Sequence, residues 1–222
     1  MGRKLLFLVV GIGLVWSVSP ANSALILWDE PLPVDVPLAG GKVLEAINLG
    51  GPAVANVGGV DFAAGDAEAA APQYSNIFDE LTSSWGGPTG AGDFVTDPGL
   101  AQVVSTARWT DDDEMQPLQL INLEPGVEYT IQLYTGDQRS CCLTRGYIFE
   151  DGLGNASAVW TRGSLTTLVG HFTADATVQD IPMFLAADSS DPHLTGYVLT
   201  PEPTTIALLG LGTMALRRRR RS

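Results

Sequence analysis

Apolar and polar positions alternate in short runs through the middle of the chain, with turn residues between the runs. This pattern predicts β-strands at Leu25–Trp28, Val43–Asn48, Val54–Val57, Val60–Phe62, Gln102–Trp109, Leu118–Leu123, Glu128–Tyr134, Arg145–Glu150, Ala156–Thr161, Leu165–Thr173, Ile181–Ala186 and Leu194–Leu199. Gly40-Gly41, Gly50-Gly51-Pro52, Gly58-Gly59, Pro125-Gly126, Asp151-Gly152 and Asp191-Pro192 mark the turns. The clearest alternation is Tyr129-Thr130-Ile131-Gln132-Leu133, where the apolar side chains point one way and the polar ones the other. With Leu118-Gln119-Leu120 before it and Pro125-Gly126 between, it predicts a half-buried antiparallel pair. One helix is predicted over Tyr74–Leu81, where Ile77, Phe78 and Leu81 fall on one face. The sequence therefore reads as one all-β sandwich domain, with longer continuous apolar runs only near the two ends.

Those end runs carry address information. Arg3-Lys4, the apolar stretch Leu5 to Val18 and the small residues Ala21-Asn22-Ser23 have the order of a Sec-type signal peptide over residues 1–23, with the mature chain starting near Ala24. The alternative is an uncleaved amino-terminal helix, which the small and polar residues from Ser17 to Ser23 disfavour. At the other end stand Pro201-Glu202-Pro203, the apolar run Thr204 to Leu216, and Arg217, Arg218, Arg219, Arg220 and Arg221 before Ser222. As a helix, Thr204 to Leu216 spans about 20 Å against a hydrocarbon core of about 30 Å, short for a permanent anchor. Five arginines cross a bilayer only at high cost, so they hold the tail on the cytoplasmic side and place the body on the far side. The two prolines keep the segment around Glu202 extended and outside any helix, an accessible backbone suited to recognition or cleavage.

The charge picture sharpens once the two ends are set aside. The whole chain has a formal net charge of −13. Arg3, Lys4 and the five terminal arginines lie in the end segments. The body keeps Lys42, Arg108, Arg139, Arg145 and Arg162 against all twenty-five acids, a net charge near −20. Such a surface repels nucleic acid and anionic headgroups, which excludes nucleic-acid binding, and it favours divalent cations. About 180 residues between the ends suffice for one full core.

The tail resembles the PEP-CTERM sorting domain of Gram-negative bacteria over Pro201 to Ser222, in its Pro-Glu-Pro, its short apolar run with Gly210 and Gly212, and its terminal arginines. The resemblance implies export, an inner-membrane intermediate, processing at Pro201–Pro203 by a membrane transpeptidase called an exosortase, and a final place at the cell surface or in a matrix of secreted polysaccharide. The plain alternative is a carboxy-terminal anchor. Leu123-Glu-Pro-Gly-Val-Glu-Tyr129 resembles a sandwich corner of fibronectin-like domains, which implies a Tyr hydroxyl tied to turn backbone. Gly41–Gly51, Val57–Phe62, Leu123–Asp137 and His193–Leu199 together resemble PEP-CTERM ectodomains built as galactose-binding-like jelly rolls. Val57-Gly58-Gly59-Val60 departs from that pattern, which expects Val-Asn-Gly-Val. The implied organisation is a signal peptide at 1–23, a jelly-roll ectodomain at 24–200 and a sorting signal with a short transmembrane helix at 201–222.

Catalytic patterns are sparse. His171 and His193 lie outside any metal-binding spacing and read as structural, there is no Gly-x-Ser-x-Gly elbow, and Gly86 to Gly90 lacks the lysine of a phosphate loop. Asp111, Asp112, Asp113 and Glu114 form a dense acidic cluster that suits a structural Ca²⁺ but reads first as a solvated turn between two strands, with Asp188 and Asp191 as a thinner pair of the same kind. The adjacent Cys141 and Cys142 either close a vicinal disulfide or remain two thiols. For glycan binding the expected elements are aromatic faces with polar neighbours, among Trp85, Trp109, Tyr134, Tyr147 and Trp160, with Asp137, Gln138, Arg139 and Arg145 as hydrogen-bonding partners. Tyr134 to Tyr147 is the richest such segment. Each aromatic also reads as ordinary core. The chain is thus expected to be a non-catalytic, matrix-associated or glycan-binding surface protein. The alternatives are an envelope polysaccharide hydrolase, with two carboxylates about 5–9.5 Å apart on a concave face, and a coat protein without a ligand.

Overall fold

The computed structural model describes residues 23–33, 42–65, 80–82, 95–109, 117–137, 139–140, 142–161, 163, 166–187, 189–190 and 192–202, with 80–82 and 166 described by their backbone. Along them run the strands β1 (Leu27–Trp28), β2 (Leu32–Pro33), β3 (Glu45–Asn48), β4 (Val54–Val57), β5 (Val60–Ala64) and β6 (Glu80–Thr82), then the helix α1 (Pro98–Val104). The chain continues with β7 (Ala107–Trp109), β8 (Leu118–Ile121), β9 (Glu128–Tyr134), β10 (Gly146–Phe149), β11 (Trp160–Thr161), β12 (Thr166–Thr173), β13 (Val178–Ile181), β14 (Met183–Leu185), β15 (His193–Leu194) and β16 (Gly196–Pro201). The expected all-β, sandwich-like class is what the chain forms, with one short helix among the described residues. The two terminal helices expected at 1–23 and 204–216 lie outside them, and among the described residues no helix is long and apolar enough to cross a membrane.

An eight-stranded sheet orders β1-β12-β9-β16-β3-β5-β4, with β2 also pairing β12. Smaller sheets, β11-β10-β14 and β13-β8, supply the opposing layer, and β15-β7-β6 forms a further one. Alternation decides the faces of the large sheet. Tyr129, Ile131 and Leu133 of β9, Leu168 and Phe172 of β12, and Tyr197 and Leu199 of β16 join Leu118, Leu120, Tyr147, Phe149, Trp160, Ile181 and Met183 of the opposing strands in the main core. Tyr134, Val198 and Ala46, which point the other way, meet Val54, Val57, Phe62 and the helix residues Leu100, Val103 and Val104 in a second cluster. Both faces of the central strands are therefore covered over part of their length.

The helix α1 corrects the strand expected at Gln102–Trp109, of which only Ala107–Trp109 is extended. Asp97 caps the helix, its side chain accepting from the Leu100 amide at 2.7 Å, and Pro98 opens the first turn with a φ already suited to it. Leu100, Val103 and Val104 then share the buried face at helical spacing. The helix expected at Tyr74–Leu81 is also corrected where it can be seen: Glu80 and Leu81 belong to β6, paired with Trp109 and Arg108. Residues 74–79 lie outside the described residues. Strand β13 was not expected, because Gln179 occupies an inward position; it is buried and accepts from the Ala24 amide at 2.7 Å.

Two local features hold the corners. Glu124 to Val127 is a turn closed by Val127 N donating to Glu124 O at 3.1 Å, with Pro125 second and Gly126 third at φ +85, the left-handed value a type II turn requires. The Tyr129 hydroxyl accepts from the Glu124 amide, as the corner resemblance implies. At Gly50 the Ala107 backbone approaches so closely that a Cβ would lie 2.1 Å from its nitrogen. Arg108, next along β7, is buried and donates to the carbonyls of Leu49 and Gly65.

Candidate functional site

The last strand runs out of the sheet directly into Pro201 and Glu202. Pro201 is still in register with Tyr129 of β9, and the Glu202 amide donates to Glu128 O at 2.8 Å. On the other side β3 ends its pairing at Glu45↔Leu199, so among the described residues Pro201 sits where β16 is paired with β9 alone. A residue without an N–H fits there at no loss of ladder bonding.

Register then gathers polar groups beside this exit. Thr130 stands opposite His171 on one side and Thr200 on the other. Its hydroxyl lies 2.8 Å from His171 Nδ1 and donates to Glu202 Oε1. His171 Nε2 is 3.2 Å from Asp29 Oδ2, and its Nδ1 is 3.8 Å from Glu202 Oε1. An open pocket of about 450 Å³ borders the network, with Leu25, Leu27, Tyr129 and Phe172 on its apolar side and Glu128, His171, Thr173 and Glu202 on its polar side. The two carboxylates contact opposite nitrogens of the ring, so they do not converge on a point where a cation would sit. His171, expected to be structural, is instead 43% exposed at the mouth of this pocket.

The segment from Tyr134 to Tyr147 is built differently from the expected aromatic platform. Tyr134 is 1% and Tyr147 0% exposed, and Trp160 is fully buried, so none of these rings presents a stacking face. Tyr147 meets its own-sheet neighbours Phe149 and Trp160 edge-on at centroid separations of 5.8 Å, and all three pack in the main core against the large sheet. Its hydroxyl contacts Thr135 Oγ1 at 2.5 Å, which in turn lies 2.8 Å from His193 Nε2 in the core, in keeping with a structural role for His193. Tyr134 packs edge-on against Phe62, and burial pushes its phenol well above its ordinary ionisation range. Asp137 is buried and holds Arg139 through a fork, Oδ1 to Nε and Oδ2 to Nη2, both 2.8 Å. These two side chains, expected as sugar partners, are thus engaged with each other, while Arg145 is half-buried. Trp109 is half-buried too. Cys142 is buried and disulfide-bonded. Cys141, Trp85, Gln138, Asp111, Asp112, Asp113, Glu114, Asp188, Asp191, Pro203 and Arg217 to Arg221 lie outside the described residues. Among the described residues no group of three acidic, His or Cys side chains converges as a metal site.

The Pro-Glu dipeptide leaving the core strand, continued in sequence by a proline, an apolar run and arginines, is decided by comparison. Residues 199–221 match the PEP-CTERM protein-sorting motif. No curated protein matches the chain. Its fold is similar to part of a calcium-binding mutant of Bacteroides uniformis beta-glucuronidase 2, at TM-score 0.50 and 14% identity over 71% of this chain and 18% of that one. It is also similar to the ANXUR1 extracellular domain from Arabidopsis thaliana, at TM-score 0.50 and 11% identity over 72% of this chain and 48% of that one. The chain therefore spans less than half the length of either structure, and the likeness is one of fold. The sorting motif marks an exported protein sorted to the cell surface by an exosortase. Its match begins at Leu199, so the first three residues of the motif are also the last three of β16.

Proposed function

We propose that the chain is a non-catalytic, surface-displayed jelly roll that takes part in an extracellular polysaccharide matrix by binding glycan or neighbouring proteins. The observation that carries this reading is the fusion of address and body: β16 is a central core strand and enters the sorting motif without a linker. An exosortase that acts at Pro201–Pro203 delivers the whole sandwich with it. Residues 1–23 then serve as the signal peptide, and Thr204 to Leu216 with Arg217 to Arg221 as a temporary membrane hold. The acidic body agrees with a soluble role outside the membrane. A vicinal Cys141–Cys142 ring stiffens the loop beyond Arg139. Asp111 to Glu114 supply oxygen ligands for Ca²⁺; the name of the beta-glucuronidase neighbour also concerns calcium, and thermal unfolding in Ca²⁺ against chelator tests the site.

The test uses the exported protein in a host with and without an exosortase. A Pro201→Ala, Glu202→Ala, Pro203→Ala triple variant is expected to accumulate unprocessed in the membrane fraction, while the natural sequence reaches the surface and co-purifies with secreted polysaccharide. Equal surface display of both forms overturns the sorting role. Failure of the displayed protein to retain polysaccharide overturns the matrix role, and release of new reducing ends from it establishes the hydrolase alternative instead.

A further inference from the structure

We infer that the pocket end of the large sheet is a docking face for the exosortase, so that the enzyme reads the folded body as well as the Pro201–Pro203 tail. Docking at this face presupposes the sorting role proposed above. Reach demands a contact there. Thr200 is buried within β16, and Thr204 opens the apolar run expected to enter the membrane. Four steps of chain separate the two, at most about 14 Å when fully extended. With the Glu202 amide kept on Glu128 O, only two steps remain free, about 7 Å. A folded enzyme that acts on Pro201–Pro203 from the membrane is broader than either gap, since even a small domain is about 30 Å across. It cannot hold the tail without touching the end of the sheet from which the tail emerges.

Register supplies a fitting surface. Glu202 follows β16, Glu128 opens β9 and Thr173 closes β12, and the three stand side by side. Leu25 lines the same pocket, and Leu27 of β1 is paired with His171 in the next row of β12. The strip thus crosses four strands, or three spacings of about 4.8 Å. Leu25 and Leu27 are 54% and 61% exposed, although Ala24 and Ile26 beside them are buried. Two leucines from the far end of the sequence therefore stand in the open next to the tail. Their charged neighbours are the carboxylates of Glu128 and Glu202, and no Lys or Arg is among the described residues lining the pocket. Anionic headgroups repel such a strip, whereas a protein surface matches it with apolar side chains flanked by Lys or Arg. The occupant that fits is an enzyme surface of that kind and not the bilayer itself.

Pulse-labelling of the full chain in exosortase-bearing cells tests the face through substitutions that leave Pro201–Pro203 untouched. Leu27→Asp and Glu128→Lys are each expected to lengthen the half-life of the unprocessed form at least about fivefold, as a charge placed wrongly in an interface does. Leu143→Asp is the control. Leu143 is 41% exposed in the loop between the other end of β9 and β10. Its substitution is expected to change the half-life less than about twofold, as for a surface position outside any contact. Should a strip variant misfold, a benzophenone side chain in place of Leu27 reads the same face in an otherwise natural chain. Irradiation is expected to join it to the exosortase, and the same side chain in place of Leu143 is expected to give no such adduct. Natural processing rates in both strip variants overturn the docking face and leave the sorting role intact. Equal slowing by Leu143→Asp, or an adduct of position 27 with lipid alone, does the same. A natural chain that is never processed in these cells overturns the sorting role, and the docking face with it.

Discussion

The hydroxyl of Tyr129 accepts a hydrogen bond from the Glu124 amide at 2.9 Å, tying the start of β9 back to the turn that precedes it. Below the hydroxyl the ring stacks on Phe172 at a centroid distance of 5.6 Å. Tyr129→Phe removes the first contact and keeps the second. The expected cost is about 1 kcal/mol, the net worth of one hydrogen bond whose donor can recover water at a part-exposed turn. Urea unfolding checks it: the midpoint falls and the slope stays constant.

Asp97 is the second position where one side chain decides local structure. Its carboxylate satisfies the Leu100 amide, an otherwise unpaired donor of the first helical turn. Asp97→Ala is expected to cost about 1 kcal/mol, within roughly 0.5–2, and Asp97→Asn to cost much less because asparagine caps equally well. Equal losses in the two variants, measured by denaturant unfolding, contradict the cap.

What the chain announced in advance depended on how local the information was. The corner at Leu123–Tyr129 and strand β9 were legible because a proline, a glycine and five alternating residues carry them. The helix α1 was hidden by its own valines: Val103 and Val104 run on into Ala107–Trp109 and mimic one long strand. Strand β13 was hidden by the inward Gln179. The sorting motif was legible because it is contiguous. The His171 network joins residues 29, 130, 171 and 202, which share a site only through the register of β9, β12 and β16. Tyr134 and Tyr147 looked like platforms because a sequence shows aromatics without showing which layer covers them.

Tyr134 makes stability depend on alkaline pH. Its folded phenol is held neutral by burial, well above its ordinary range, whereas in the unfolded chain it ionises near pH 10. The unfolded state therefore binds fewer protons than the native state in alkali, so the contribution is fully present below about pH 10 and declines above it. Tyr134→Phe lacks this loss. Near neutral pH the substitution is expected to cost less than about 1 kcal/mol, since the hydroxyl makes only a 3.3 Å contact with Gln132. Above about pH 10 the natural protein is expected to lose up to about 1.4 kcal/mol per pH unit relative to the variant. Parallel pH curves from urea titrations would show that the phenol is not buried.

Gly50 and Gly126 separate two reasons for needing glycine. At Gly126 a Cβ meets nothing within 4 Å, and the only obstacle to alanine is φ +85. Gly126→Ala is therefore expected to cost about 1 kcal/mol, the strain of a left-handed residue, and to leave the rest of the sheet undisturbed. At Gly50 a Cβ would stand 2.1, 2.3 and 2.4 Å from the nitrogen, carbonyl carbon and Cα of Ala107. Backbone cannot rotate away as a side chain does, so β7 must shift as a unit. That strand carries Arg108, whose guanidinium donates to Leu49 O and Gly65 O, and the shift weakens these buried bonds as well. Gly50→Ala is accordingly expected to cost about 3 kcal/mol or more, the overpacking penalty plus part of the buried hydrogen bonding. Urea unfolding of the two variants side by side gives the order, and a loss at Gly126 equal to that at Gly50 would place the close approach of Gly50 to β7 in error.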